Sequence, residues 1–503
     1  MGMELKEHRE VRRRYSNDME GYTQEKQETE QNRGRRSRYM IITVNRKNYN
    51  QYLRDRSISM DWKERDFVSQ IKDYIDSSLK KVLLISGLRG TGKTVGLLQA
   101  MEHNNALYIL PTADRRNEFS NAKEIIDCIA DSTENVIMID EYSWIVDREK
   151  YHLDRYLDSL VNSGKRVIVT GTESLCIEAL KAGELIHRAI TIQTNHISFE
   201  EYCRLYDLEM NKRNNRQFLF RGGIFEDYVI NNELTMQNYI EESIIKNLRA
   251  YITGVLKQKI DEGKIGTLIY TLFYRAIWSI VHDDIKFYSD SMETLSAMDR
   301  LGIDADMKKI NPHELEMIAD VLEQAGVIIK VRNLFPRENK LNEYHLDTDY
   351  KTYIVNSSLT WQLLRTLFPE YRDEDGLIGI LFEASCMVDL CYKKQKADDI
   401  YFIENNDNGK NFEIDIAIVQ NNDTPKKRFY LFECKADAKI NIHGKAWSIL
   451  TGNVDRRIMN VWPDSEIVKK TIIHPGDDDI LNSDLGEKIF VVNVNKDLFK
   501  YYE

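Results

Sequence analysis

The chain has 503 residues, 42% of them hydrophobic and 30% charged, enough for about three folded domains. A net charge of −11 excludes a broadly basic surface, so any nucleic-acid contact must come from a local patch. No apolar run reaches the roughly 18 residues of a membrane span and no apolar leader opens the chain, so a cytoplasmic protein is expected. Its cysteines are scattered and lack metal-site spacing, as suits reduced thiols in that compartment.

Residues 1–38 are polar, mix both charge signs and hold few apolar side chains, so a mobile extension is expected. Within it, Arg33-Gly34-Arg35-Arg36-Ser37-Arg38 is a basic cluster, either a solvated tail or an arm for phosphate. Trp62 to Leu79 has helical apolar spacing and leads into Val82–Ser86, a run suited to a buried strand. The strand meets Gly87-Leu88-Arg89-Gly90-Thr91-Gly92-Lys93-Thr94, the complete G-x-x-x-x-G-K-[ST] pattern, and a helix to about Met101 follows. Each part has a chemical reason. Gly87, Gly90 and Gly92 let the loop N–H groups, those of Arg89 and Thr91 among them, converge on phosphate oxygens at a helix N-terminus. Lys93 would reach the β and γ phosphates, and the Thr94 hydroxyl would ligate Mg²⁺. ATP with Mg²⁺ is the expected ligand.

A second buried strand is expected over Ala106–Leu110 and a helix over Asn121–Ala130. Val136-Ile137-Met138-Ile139 then ends in Asp140-Glu141, the Walker B pattern. Asp140 would hold Mg²⁺ and Glu141 would polarise the attacking water. After a helix from Leu153 to Val161, strand Arg166–Val169 runs into Thr170-Gly171-Thr172. These polar residues resemble the sensor-1 element of AAA+ ATPases, although Thr and Gly are natural after any strand. Alternating strands and helices predict a parallel sheet with its ligand at the strand C-termini. Arg188, before strand Ala189–Ile192, is either a γ-phosphate arginine, acting in cis or in trans, or a surface residue.

At this point a resemblance emerges. Gly87-Leu88-Arg89, Asp140-Glu141, Thr170-Gly171-Thr172, Ile197-Ser198-Phe199-Glu200-Glu201-Tyr202, Arg221 to Glu226 and Leu322 to Ile328 occur in this order. The sequence resembles, over roughly residues 40–500, a prokaryotic ATPase family that joins an AAA+-type P-loop domain to a C-terminal PD-(D/E)XK nuclease-fold domain.

Helical spacing continues over Asn238–Tyr251 and Ile265–His282, and Asn311-Pro312 should start a helix that ends at Gly326. A strand pair, Val327–Val331 and Asn342–Leu346, then suggests a winged-helix module, which the resemblance also implies. It would either pack between domains or contact DNA, with Lys330, Arg332, Arg337 and Lys340 as phosphate-binding candidates. Farther on, a helix over Gly379–Tyr392 carries Glu383. Strand Asp399–Ile403 follows, and strand Phe412–Val419 places Glu413 and Asp415 on one face by alternation. Strand Phe429–Lys435 does the same for Glu433 and Lys435. With a helix around His443–Leu450 and a strand at Lys488–Val492, this order fits the αβββαβ core of the PD-(D/E)XK fold. Asp415 and Glu433, with the Cys434 carbonyl, would hold Mg²⁺; Glu383 would complete the metal site, and Lys435 would act on the water. Charged residues on exposed strand faces are the plain alternative.

The expected organisation is an α/β protein with four parts. They are a polar extension (1–38), an AAA+-type P-loop domain (39–200), a helical and winged-helix region (201–350) and a nuclease-like domain (351–503). The expected activity is ATP hydrolysis coupled to a nuclease-fold domain that cleaves DNA. Two rivals stand beside it: a nucleotide-dependent switch with a protein partner, and a DNA-binding ATPase with an inert C-terminal domain. Oligomeric assembly is left open.

Overall fold

The computed structural model describes residues 41–112, 120–171, 185, 187–222, 238, 240–246, 260, 262–281, 311–335, 350–368, 374–394, 398–407, 410–436, 450, 454–476, 479–482 and 488–494. The expected extension, Thr172, Arg337, Lys340, strand 342–346 and most of the helix at 443–450 lie outside these residues.

Two sheets organise the chain. The first part runs β1 (Ile41–Val44), α1 (Tyr49–Asp55), α2 (Asp66–Asp76), β2 (Val82–Ser86), α3 (Lys93–Met101), β3 (Ala106–Pro111) and α4 (Ala122–Ala130). It continues with β4 (Val136–Ile139), α5 (Leu153–Asn162), β5 (Arg166–Gly171) and β6 (Ala189–Gln193). The sheet order is β1-β3-β4-β5-β2-β6, parallel from β3 to β6, with β1 antiparallel at the edge. Strands β2 and β4 are buried along their whole length because helices cover both faces, which is why they read as unbroken apolar runs. On one face Leu83, Ile85, Tyr108, Met138 and Ile168 pack against α2 and α3. On the other, Leu84, Ile109, Ile137 and Val169 pack against α4 and α5. Strand β5 lies between β2 and β4, so the ends of all three meet at one edge.

The remainder comprises α6 (Phe199–Leu205), α7 (Lys212–Arg221), α8 (Glu262–Val281), α9 (Pro312–Gln324), β7 (Ile328–Asn333), β8 (Tyr350–Ile354) and α10 (Ser357–Leu367). Next come α11 (Glu374–Lys393), β9 (Asp399–Asp407), β10 (Lys410–Gln420), β11 (Arg428–Cys434) and α12 (Val454–Val461). Strands β12 (Glu466–His474), β13 (Asp479–Asn482) and β14 (Lys488–Asn493) finish the series. Several starts are capped as side-chain chemistry dictates. Asn121, Ser198, Asn211, Asn311 and Asn356 each accept a hydrogen bond from a first-turn N–H.

The second sheet has the order β13-β14-β12-β11-β10-β9-β7-β8. Three sequence expectations change here. The first strand read as part of a wing is β7, which pairs β8 on one side and β9 on the other and so continues the sheet; the second, 342–346, lies outside the described residues. The strand parallel to β11 is β12, which the sequence reading missed; the expected strand at 488–492 is β14, one place farther out. Finally, the β9–β10 register shifts between Ile414 and Ala417. Ile414 therefore packs with Ala417 and Val419, while Ile416 and Ile418 face the other core. The alternation expected to put Glu413 and Asp415 on one face does not run through this bulge. Helices α6 to α11 and one face of the sheet share a single core, from Ile197 through Tyr274 and Leu364 to Phe432.

Candidate functional site

Strand β2 delivers the chain into the glycine loop. A Cβ on Gly87 would stand 2.1 Å from Thr194 Oγ1, so only glycine lets the loop pass beneath the end of β6. Gly92 has φ 85°, the left-handed region where a side chain is strained, and it caps α3. Lys93 is buried and folds back over the loop, donating to the carbonyls of Gly87 and Leu88 at 2.8 Å each. Arg89 is exposed on the loop, whereas Thr91 is buried and donates to the Leu88 carbonyl at 2.9 Å.

Asp140, at the end of β4, is fully enclosed and is the hub of the loop's mouth. Its Oδ2 accepts from Thr94 Oγ1 at 2.7 Å and from the Tyr108 hydroxyl at 2.8 Å. Its Oδ1 accepts from the Thr170 hydroxyl and from the Glu141 N–H at 3.1 Å. Burial first, and then the Asp140 charge, push the Tyr108 hydroxyl well above its usual range, so it remains a donor. Sequence reasoning brought Thr94, Asp140 and Thr170 to this place, and the structure joins them. It missed Tyr108, whose only signal was a polar atom inside an apolar strand. Glu141 has a left-handed backbone, φ 50°, which turns the chain sharply out of the sheet beside Asp140.

Arg188 is a correction. Its carbonyl accepts from the Val82 N–H at the start of β2, so it sits at the opposite end of the strand from the glycine loop. Its guanidinium pairs with Asp158 and its side chain is 60% exposed. It cannot reach a phosphate at its own loop.

Three residues that the sequence reading did not assign knit this site to the rest. Arg65 is buried and grips Glu201 through two bonds, Nε to Oε1 at 2.6 Å and Nη2 to Oε2 at 3.2 Å. It also donates to the carbonyls of Thr91 at 2.8 Å, Thr194 at 3.2 Å and His196 at 2.7 Å. Asn195 accepts from the Leu88 N–H at 2.6 Å and donates to the carbonyls of Ala325 and Gly326, both at 2.8 Å, at the end of α9. His196 pairs with Asp389 of α11 at 3.1 Å and stacks on Tyr392 with ring centroids 4.6 Å apart.

The second cluster lies in the eight-stranded sheet. Asp415 accepts from the Cys434 N–H at 2.6 Å, which ties it across to β11. Glu433 is 1% exposed, and its Oε1 has no hydrogen-bond partner. Lys435 Nζ lies 3.5 Å from Glu433 Oε2, so the expected shared face is present. Burial first, then the charge of Asp415, push the Glu433 carboxyl well above the usual range against the pull of Lys435; Glu413 and Glu383 add to the rise. Burial opposes the charge on Lys435, yet Asp415 and Glu433 raise its pKa. Lys435 thus stays an ammonium group, suited to orienting a water or stabilising negative charge rather than accepting a proton. Among the described residues, no three His, Cys, Asp or Glu side chains are already arranged to hold a metal ion.

Of the basic residues assigned to the wing, Lys330 is another correction: Glu316, Asp320 and Glu323 surround its ammonium. A cation neutralised three ways is a structural tie, not a phosphate site. Arg332 is exposed on β7. Among the described residues no helix is long and apolar enough to cross a membrane.

Residues 79–203 match the AAA domain family. This segment, which holds the glycine loop and most of the first sheet, is similar to an AAA domain. An uncharacterized protein of Methanocaldococcus jannaschii is 25% identical over 285 residues, 52% of this chain and 56% of that protein. The chain therefore spans little more than half of that relative. A DNA polymerase III gamma subunit-related protein of Thermotoga maritima is 14% identical, with a TM-score of 0.23, covering 52% of this chain and all of that one. The Hsp104–ADP complex of S. cerevisiae is 11% identical, with a TM-score of 0.29, covering 70% of this chain and 61% of that one. Likeness at these scores carries no argument about activity.

Proposed function

We propose that this chain is a Mg²⁺-dependent ATPase whose cycle is coupled to a metal-dependent phosphodiesterase site in the C-terminal sheet, with DNA as the substrate. The observation that carries it is the meeting of the Thr94 hydroxyl, Asp140 and Thr170 at the mouth of the glycine loop. Bound Mg²⁺ would withdraw charge from the phosphates it touches. Thr94 and Asp140 are the residues to hold it, with Thr170 and Tyr108 fixing the Asp140 carboxylate. Lys93 would leave the Gly87 and Leu88 carbonyls for the β and γ phosphates, and Glu141 would polarise the attacking water.

The coupling rests on Asn195 and His196. Lys93 and Thr91 both hold the Leu88 carbonyl, and Asn195 holds the same residue's N–H while gripping the end of α9. A Lys93 drawn to phosphate would alter that peptide, and Asn195 carries the change to β7 and its sheet.

In that sheet Glu433, whose Oε1 has no hydrogen-bond partner, would ligate a divalent ion, with Asp415 as the second ligand and Glu383 to complete the set. Lys435 would orient the hydrolytic water. DNA, a protein partner and self-association remain the partners this reading allows, with exposed Arg332 as a phosphate contact.

The test measures phosphate release and plasmid integrity together. ATP turnover is expected with Mg²⁺, and Lys93→Ala should abolish nucleotide binding by isothermal titration. Unchanged affinity in that variant would remove the ATPase reading. Nicking is expected with Mg²⁺ or Mn²⁺ and should stop on adding a chelator. Turnover without nicking, with ATP and either metal present, would leave the DNA-binding ATPase with an inert C-terminal domain in its place, and slow or absent turnover without nicking the nucleotide-dependent switch.

A further inference from the structure

Helices α7 and α10 carry charge of one sign only. In α7, Lys212, Arg213, Arg216 and Arg221 are basic and no residue is acidic; in α10, Arg365 is the one charged residue. On a chain with a net charge of −11 this departs from the mixed helix surface in which opposite charges pair one turn apart. With about 3.6 residues per turn, the basic residues of α7 fall on the half of the helix opposite Asn215, Phe218 and Leu219, the residues it buries. Lys212, Arg213, Arg221 and Arg365 are exposed.

The two helices form one fixed surface. The Gly222 carbonyl, at the end of α7, accepts from Ser357 Oγ at 2.9 Å and from the Ser358 N–H at 3.1 Å, both in the first turn of α10. Phe220 packs on Trp361 with ring centroids 4.4 Å apart. Arg216 lies over the Phe220 ring at 5.8 Å, and Arg365 over the Trp361 ring at 5.7 Å. Guanidinium, ring, ring and guanidinium thus run from one helix to the other, and the rings hold both cations in place.

Positive charge fixed in place, with no acidic residue on either helix, suits a polyanion. The rings narrow the choice. A helix that lies on a membrane presents apolar side chains for insertion, and a single-strand site offers open rings on which bases stack. Here Trp361 is only 9% exposed, arginines lie over both rings, and Phe218 and Leu219 are spent on the core. What the face offers is charge alone, which matches the phosphate backbone of a duplex. Helix α7 is about 15 Å long, roughly four phosphates along one strand. We infer that the α7–α10 face binds duplex DNA through its phosphates, without reading sequence. This deepens the proposed function by giving its DNA a docking surface, and it rests on that reading for the choice of DNA over RNA.

Fluorescence anisotropy with a labelled duplex of about 25 base pairs, in chelator and with or without ATP, tests it as salt rises from about 50 to 200 mM. The parent chain should bind. Arg213→Gln and Arg221→Gln should each lower the slope of log affinity against log salt by about 0.9, whatever the duplex sequence. The combined Lys212→Gln, Arg213→Gln and Arg221→Gln variant should bind about tenfold or more weakly at the lowest salt and melt where the parent does. Arg213→Lys, which keeps the charge, should bind like the parent. Should the combined variant unfold, the two single variants carry the test. Parent-like affinity and slope in the glutamine variants would overturn the inference and leave the DNA reading to another surface. Tighter binding to an RNA duplex or to vesicles of acidic phospholipid than to the DNA duplex would overturn it as well. A parent chain that binds no DNA duplex under any of these conditions would remove DNA from the proposed function and this face with it.

Discussion

Glu201→Ala should destabilise the P-loop domain by about 3–5 kcal/mol, the range for breaking a buried ion pair by removing one partner. Arg65 and Glu201 are both almost fully enclosed, so deleting the carboxylate leaves a buried guanidinium without the carboxylate that faces it. The loss is not confined to one pair. Glu201 Oε1 also accepts the Asp66 N–H at 2.8 Å, at the start of α2. Arg65 in turn ties down Thr91 of the glycine loop and the backbone just after β6. The variant should therefore also bind nucleotide more weakly, since the loop would lose the strut behind Thr91. Denaturant unfolding of parent and variant measures the effect. A change under about 1 kcal/mol would mean that water or a neighbouring group takes over the charge.

What the sequence disclosed follows from how local the signal was. The glycine loop, Lys93 and Thr94 are contiguous, and Asp140 and Thr170 end apolar strands, so one parallel-sheet argument places them together. Asn311 announced its helix because capping is settled within three residues. The Arg65–Glu201 pair, by contrast, spans 136 positions and needs the fold before it has meaning. Asn195 and Tyr108 are of the same kind, ordinary polar residues until the glycine loop and Asp140 close on them. Arg188 looked like a phosphate ligand because it stands next to a strand, but it precedes the strand, and in a parallel sheet ligands gather at the other end. Strand β8 escaped notice because its Lys351 breaks the apolar pattern, and only a partner on another strand makes that lysine a core residue. The bulge near Asp415 likewise has no signature in a sequence that alternates on both sides of it.

Glu141→Gln should slow ATP turnover by about 10²- to 10⁴-fold, the contribution of a positioned general base, while leaving ATP affinity near that of the parent. Glutamine keeps the size and the hydrogen-bonding reach of glutamate but cannot accept the proton of the attacking water. The ligands assigned to Mg²⁺ stay as they are, because Thr94, Thr170 and Tyr108 hold the carboxylate of Asp140 and not that of Glu141. The Glu141 N–H to Asp140 Oδ1 bond is a backbone contact and survives the change. Its left-handed φ of 50° is tolerated by glutamine about as well as by glutamate, so the turn beside the glycine loop should persist. Asp140→Asn is the contrasting variant: it removes charge from the hub itself, so Mg²⁺-dependent binding and turnover should fall together. Steady-state phosphate release, paired with titration of a fluorescent ATP analogue, separates the two outcomes. Should Glu141→Gln hydrolyse ATP at the parent rate, the water is activated elsewhere and Glu141 is only the residue that ends the strand.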